Sequence, residues 1–354
     1  MKRAWYRRIA LTVGLASLLG VSAAQEVRWT MATSWPSSLN FHQLAEEFAQ
    51  NVERMSGGRM VIDVQPSGAI VGAFEVLDAV DSGIVEMGHS WSGYWIGRHP
   101  AAPFFASIPM SFEAPMYMAW FYDAGGIELW NRLYQELMGL DITVMPVGVY
   151  HPETFAWSNV PIRTLEDFQG LRYRTAGWWA DILRDTGVSV VSLPAAELYP
   201  SLERGVVDAA EFSTPWADQT LSFHEVTRYY TGPGMHQPAI VNELMINRSA
   251  WEALPEDLRA IVEAAAEAMV VRSWSRDLVR SMEAVAFFDE SGQERVEVDV
   301  ETQRALREAS FAYLDELATQ DAFFAEVWES VQAFYDRYVE YEAFMVPVRA
   351  EPRE

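Results

Sequence analysis

The tightest constraint on this chain is an order of strands and helices that occurs twice. Val27-Arg28-Trp29-Thr30-Met31-Ala32-Thr33 alternates and is rich in strand formers. Asn40 stands where a helix cap belongs, Leu44, Phe48, Val52 and Met55 follow at helical spacing, and Gly57-Gly58 ends the run. A strand over Met60 to Gln65, a helix from Phe74 to Ser82 stopped by Gly83, and a strand over Val85 to Trp91 complete the first unit. The second unit reads Leu171 to Arg174 as a strand, Trp178 to Thr186 as a helix and Val188 to Leu193 as a strand. Leu198 to Arg204 is then a short helix closed by Gly205, and Val206 to Phe212 is a strand. A β-α-β-α-β order specifies an open α/β sheet. Two such units in one chain predict two facing lobes. Ligands of open α/β sheets sit beyond the carboxyl ends of the strands, so the loops after Thr33, Trp91, Arg174 and Glu211 are where a site is expected.

The N-terminus predicts export. Lys2, Arg3, Arg7 and Arg8 precede an uncharged stretch from Ile9 to Ala24 that ends in Val21-Ser22-Ala23-Ala24. Its apolar part is about 13 residues, short of the roughly 20 a membrane helix needs. Basic head, short apolar middle and small-residue exit define a cleavable signal peptide over 1–24. Arg7-Arg8 leaves both the general secretory and the twin-arginine routes open. Removing this leader and its four basic residues takes the formal charge from −24 to about −28. So acidic a surface excludes nucleic acid as a partner and disfavours anionic lipid.

The absence of cysteine excludes disulfides, thiolate metal sites and cysteine nucleophiles. None of the six histidines stands in an H-x-x-x-H spacing, and no G-x-S-x-G elbow, Walker loop or G-x-G-x-x-G follows a strand. Binding rather than catalysis is therefore expected, with an exported hydrolase as the alternative of another class.

Three constellations could carry binding. Arg174 ends a strand on the same face as Arg172, and a guanidinium there can grip a carboxylate through two parallel hydrogen bonds; the plain alternative is a surface arginine paired with an acid. Glu211 ends the strand that begins at Val206, where it would repel an organic acid unless a hard cation such as Na⁺ or Ca²⁺ lay between them; the alternative is an acid paired with Arg174. Trp35, Trp91, Tyr94, Trp95, Tyr150, Trp157, Trp178 and Trp179 are mostly core, with a few walling a small pocket. Near the C-terminus, Phe324, Val327, Trp328, Val331, Phe334, Tyr335 and Tyr338 form a wide aromatic stripe, which either packs on its own lobe or meets a second copy.

The runs Leu165-Glu166-Asp167-Phe168-Gln169-Gly170-Leu171-Arg172-Tyr173-Arg174 and Glu197-Leu198-Tyr199-Pro200-Ser201-Leu202-Glu203-Arg204-Gly205-Val206-Val207-Asp208-Ala209-Ala210-Glu211 resemble the substrate-binding subunit of TRAP transporters (the DctP-like family). Phe104 to Pro109, Pro233-Gly234-Met235-His236, Asn247 and Trp251 extend the resemblance over nearly the whole mature chain. The second run is similar to the branch that binds 2-oxo acids and related monocarboxylates through a metal ion. The resemblance implies a two-lobed, hinged α/β fold of the type II periplasmic-binding-protein kind with C-terminal helices. It implies lobe I over 25–149 and 213–250, lobe II over 150–212 and 251–300, and C-terminal helices over 301–354 that could form a homodimer contact. It places Arg174 on the ligand carboxylate and Glu211 and Phe212 on the cation, Phe212 by its carbonyl where many relatives carry Trp. Glu243 falls near another cation-contacting acid. Glu153 stands where an amide is expected, adding a negative charge near the metal. Tyr94 and Trp178 match pocket walls. The implied cargo is a small 2-oxo or 2-hydroxy acid such as pyruvate or lactate, delivered from the periplasm to integral membrane subunits. A longer acid, an amino acid or a polyol is the alternative cargo.

Overall fold

The computed structural model describes residues 27–347; the signal peptide expected over 1–24 lies outside them. The first sheet contains β1 (Val27–Thr33), β2 (Met60–Gln65), β3 (Met87–Ser90), β4 (Ile142–Tyr150) and β10 (Ile240–Asn247), in the order β2-β1-β3-β10-β4. Its first three strands are mutually parallel, while β10 runs antiparallel to both neighbours. The second sheet contains β5 (Ala156–Ser158), β6 (Arg172–Arg174), β7 (Ser189–Val191), β8 (Ala209–Ala210), β9 (Tyr229–Gly232) and β11 (Glu294–Glu297), in the order β11-β9-β5-β8-β6-β7. Two sheets built from two α/β units give the expected pair of lobes.

Helices cover the sheets through apolar stripes. In α1 (Asn40–Met55), Phe41, Leu44, Phe48 and Val52 are buried at helical spacing. Each such side chain contributes about 1.5–3 kcal/mol by leaving water. Gly57, in the left-handed region at φ 65°, turns the chain out of this helix and into β2. The remaining short helices are α2 (Val76–Asp81), α3 (Ala114–Asp123), α4 (Gly126–Arg132), α5 (Gly177–Asp185), α6 (Ala195–Glu203), α7 (Pro215–Thr220) and α8 (Arg248–Ala253).

Pro255 caps α9 (Glu256–Glu290), a helix of 35 residues and hence about 50 Å long. It packs on β4 and α1 of the first lobe and on α7. Its far end lies under the second lobe, where the Phe288 ring meets Trp157 at 4.7 Å between centroids. Helices α10 (Val300–Gln320) and α11 (Ala322–Met345) close the chain. Among the described residues no helix is long and apolar enough to cross a membrane.

Two expectations are corrected. Strand β9 pairs with β5 in the second sheet, so the chain stays in that lobe through Gly232 and returns over residues 233–239 rather than at 213. The strand expected over Val206 to Phe212 shrinks to Ala209–Ala210, because Val206 is exposed and only the alanines are enclosed by neighbouring strands.

The aromatic stripe of α11 divides. Phe324, Val327, Trp328 and Val331 are buried, with Phe324 against Phe104 and Trp178. Further along, Tyr341 is 60% and Phe344 87% exposed.

Candidate binding site

Strand register brings the first two candidates together. β6 and β8 run parallel with Arg174 opposite Ala210, so Glu211 emerges one residue beyond Arg174 at the carboxyl edge of the sheet. The Glu211 amide donates to the Arg174 carbonyl (3.2 Å). Arg174 Nη1 donates to the Glu211 carbonyl at 2.6 Å and lies 3.3 Å from Glu211 Oε1. Its Nε donates to the Leu193 carbonyl (3.0 Å). The guanidinium also sits 5.3 Å from the centre of the Phe212 ring, an attractive cation–π placement. Arg172, on the same face, instead makes an exposed pair with Asp208.

Glu153 arrives from the other side, on the segment that leaves β4. Its amide donates to the Gln237 carbonyl (3.2 Å), and the next amide, of Thr154, donates to the Ser213 carbonyl (2.9 Å). The two crossover segments thus pair, with Glu153 bridged to Gly234. A Cβ at 234 would overlap the Glu153 carbonyl, so only glycine allows this approach. Across the gap, His236 Nε2 is 3.0 Å from Glu153 Oε2 and 3.9 Å from Glu211 Oε2. The rings of Phe155 and Trp179 hold the imidazole in place.

These groups border a cavity of about 300 Å³ lined by Trp35, Phe41, Trp91, Tyr94, Glu153, Arg174, Ala176, Glu211, Phe212, Ser213, Gln237, Ile240 and Asn242. Rings and aliphatic carbon form one wall. Trp35 Nε1 donates to His89 Nδ1 (2.6 Å), so this residue offers the cavity its ring alone. Burial pushes the His89 imidazole down to about 3, which keeps it neutral and able to accept. Trp91 Nε1, Ser213 Oγ, Gln237 Oε1 and Asn242 Oδ1 are buried without hydrogen-bond partners. Orphaned polar atoms around a cavity are the mark of a place where a polar ligand or water belongs.

The acids are electrostatically divided. Burial alone would raise Glu211, but the Arg174 guanidinium, aided by His236, outweighs it and holds this carboxyl at about 2. Burial, and then the charge of Glu211, push Glu153 well above the usual carboxylate range. Glu153 Oε2, Glu211 Oε2 and both His236 nitrogens make no well-aligned hydrogen bond, although Nε2 lies 3.0 Å from Glu153 Oε2. One ligand atom from each residue lies within 4.8 Å of the others. Such a donor set fits a cation, which would let both carboxylates ionise.

Glu153, Arg174, Glu211, Phe212 and Tyr94 therefore meet at one cavity. Two other candidates do not. Glu243 points to the opposite face of β10 from its neighbour Asn242, as alternation requires. Its oxygens accept from Trp95 Nε1 and the Tyr134 hydroxyl, both at 2.7 Å. Trp178 turns away to pack on Phe104 and Phe324, and its Nε1 donates to the Pro100 carbonyl (3.0 Å). His236, Gln237 and Asn242 were not among the sequence candidates. The only signal was a histidine directly after Pro233-Gly234-Met235.

Glu243 supplies a pH test. Burial, opposed by the bonds from Tyr134 and Trp95, raises its carboxyl from 4.5 to about 7. Between these values the folded protein holds a proton that the unfolded chain has released, so stability falls as pH rises from 4.5 towards 7. Glu243→Gln mimics the protonated form, and should gain about 3 kcal/mol relative to wild type on going from pH 5 to pH 8. Denaturant melts at the two pH values would measure this, and an unchanged difference would contradict it.

The comparisons with known proteins fit this geometry. Residues 31–321 match the family model of bacterial extracellular solute-binding proteins, family 7 (DctP). The chain belongs to this family. Family 7 proteins are solute-binding components of transporters, which accords with the cavity. The monocarboxylate 2-oxoacid-binding periplasmic protein of Nostoc sp. is 33% identical over 87% of this chain and 84% of its own. A TRAP transporter solute-binding protein from Bordetella bronchiseptica superposes with a TM-score of 0.87 at 28% identity, over 91% of this chain and 95% of that one. It is a dimer of mixed occupancy with calcium and picolinate in one active site. Another from Pseudoalteromonas atlantica, with bound sodium and pyruvate, gives 0.85 at 29% identity over 91% and 97% of the two chains. The two-lobed type II family 7 fold is thus shared, and with it the role of a TRAP solute-binding protein.

Proposed function

We propose that this chain captures a small 2-oxo or 2-hydroxy monocarboxylate, of pyruvate or lactate size, together with a bridging cation, and delivers it to the membrane subunits of a TRAP transporter. The observation that carries this reading is the buried Arg174, in contact with Glu211 and bordering one cavity with the Glu153–Glu211 pair. Arg174 holds the carboxylate of the ligand. Glu211 and Glu153, with the Phe212 carbonyl, hold the cation. Two ionised acids and the ligand carry three negative charges against one arginine, so a divalent ion neutralises the site where Na⁺ leaves a net charge. This favours Ca²⁺. The leader over 1–24 directs export to the periplasm, and the exposed distal half of α11 is the surface a second copy would cover.

A thermal-shift panel of small acids tests the proposal. Pyruvate at about a hundred times its Kd adds about 2.7 kcal/mol of stability, so the melting temperature should rise by several degrees in Ca²⁺. The rise should disappear in chelator and should occur without turnover of the acid. Stabilisation only by longer acids, amino acids or polyols would replace the cargo. Chemical conversion of any panel member would replace the function.

A further inference from the structure

Two stretches carry the acids of the site. One is 151–155, where the chain leaves the first sheet; the other is 211–216, where it leaves β8. Both rest on one polar face of α9. Ser273, Asp277 and Ser281 recur every four residues and so share that face, and all three are buried. Ser273 Oγ accepts from the Val149 amide (3.0 Å). Asp277 Oδ2 accepts from the His151 amide (3.0 Å) and lies 3.2 Å from His151 Nδ1. Asp277 Oδ1 accepts from the Thr214 hydroxyl (2.7 Å) and from the Ser281 hydroxyl (3.2 Å). Ser281 Oγ in turn accepts from the Trp216 amide (3.3 Å). The His151 ring stacks on Trp274 at an interplanar angle of 14°.

A carboxylate inside a helix interface is costly unless its oxygens are saturated. Here they are saturated by the two segments that present Glu153 and Glu211, each within three residues of its tie. We propose that Asp277 is a positioning residue for ligand binding. By tying both segments to one rigid helix it fixes the separation of Glu153 from Glu211. Just beyond the ties, the bond from the Thr154 amide to the Ser213 carbonyl joins the segments directly, so a shift at Asp277 reaches both acids. The inference rests on the proposed function only in taking those acids as the cation-holding pair.

The test uses the full mature chain in four variants. Asp277→Ala removes both ties. Thr214→Val removes one without a change of volume. Asp277→Asn keeps both, because the Thr214 and Ser281 hydroxyls can turn to accept from the amide while its oxygen serves His151. Thr214→Ser keeps the hydroxyl. Pyruvate affinity in Ca²⁺, by calorimetry, should weaken about tenfold or more in Asp277→Ala and less in Thr214→Val, while the two conservative variants stay within about threefold of wild type. In ligand-free protein, hydrogen exchange should accelerate over 149–155 and 211–216 in the first two variants and remain unchanged over β1 and β2. Wild-type affinity in Asp277→Ala overturns the proposal. So does a rise in exchange spread over the whole chain, which marks a merely structural loss. If Asp277→Ala does not fold, Thr214→Val against Thr214→Ser decides. If wild-type protein binds no small acid, the functional reading fails separately, and the exchange pattern alone decides for or against the ties.

Discussion

Arg174→Ala will remove high-affinity binding of small carboxylates. Arg174 is 2% exposed, and its Nη1 is engaged with Glu211 while the guanidinium borders the cavity. Truncating one member of a buried charged pair costs about 2–5 kcal/mol, a loss in affinity of about 30-fold to several thousandfold. The variant should also be less stable. Glu211, held at about 2 by Arg174 against the 4.5 of a free carboxyl, contributes about 3 kcal/mol above pH 4.5 that is lost as pH falls towards 2. Without the arginine that contribution vanishes, and Glu211 takes up a proton. Arg174→Lys retains charge but not the planar fork, and should recover stability better than affinity. Calorimetry with pyruvate in Ca²⁺ decides the matter. Near-normal affinity in Arg174→Ala would strip this residue of its role.

Gly234→Ala should be comparably severe for a different reason. The added methyl would fall on the Glu153 carbonyl oxygen and within 2.8 Å of the Glu153 nitrogen. Both are backbone atoms, so no side chain can rotate to make room. Relief requires separating the two crossover segments, which breaks the Glu153–Gly234 bridge and the bond from the Glu153 amide to Gln237. A loss of about 2–4 kcal/mol is expected, together with binding at least as weak as that of a Glu153 variant, because Glu153 itself is displaced. Melting curves and a titration on the same sample would measure both. A stable variant that binds normally would show that the segments can part without cost to the site.

These residues also mark what can be read from the chain alone. Arg174 and Glu211 were legible because each closes a strand in a parallel unit, and parallel strands end on the same edge. Glu153, Phe212 and Tyr94 followed from a resemblance that spans the chain. Glu243 was misplaced because a one-residue step along a strand reverses the face, and β10 keeps that alternation through the register shift, whose extra residue, Val147, lies in β4. Trp178 was misplaced for a long-range reason: its partner Phe324 lies far along the chain on α11, and no local pattern announces that contact. His236 and Asp277 belong to the same class. One follows a glycine in a crossover and the other sits mid-helix, and only the folded chain brings them to the two acids.

The burial of the cavity has a kinetic consequence. Every lining residue except the half-buried Tyr94 is shielded from solvent. A solute bound between the lobes would hold them together, so its departure would wait on their parting and slow as its grip strengthens. Two solutes of different affinity would then differ mainly in the rate of this departure step. A membrane partner that spreads the lobes would shorten that step directly, without competing for a single contact inside the site.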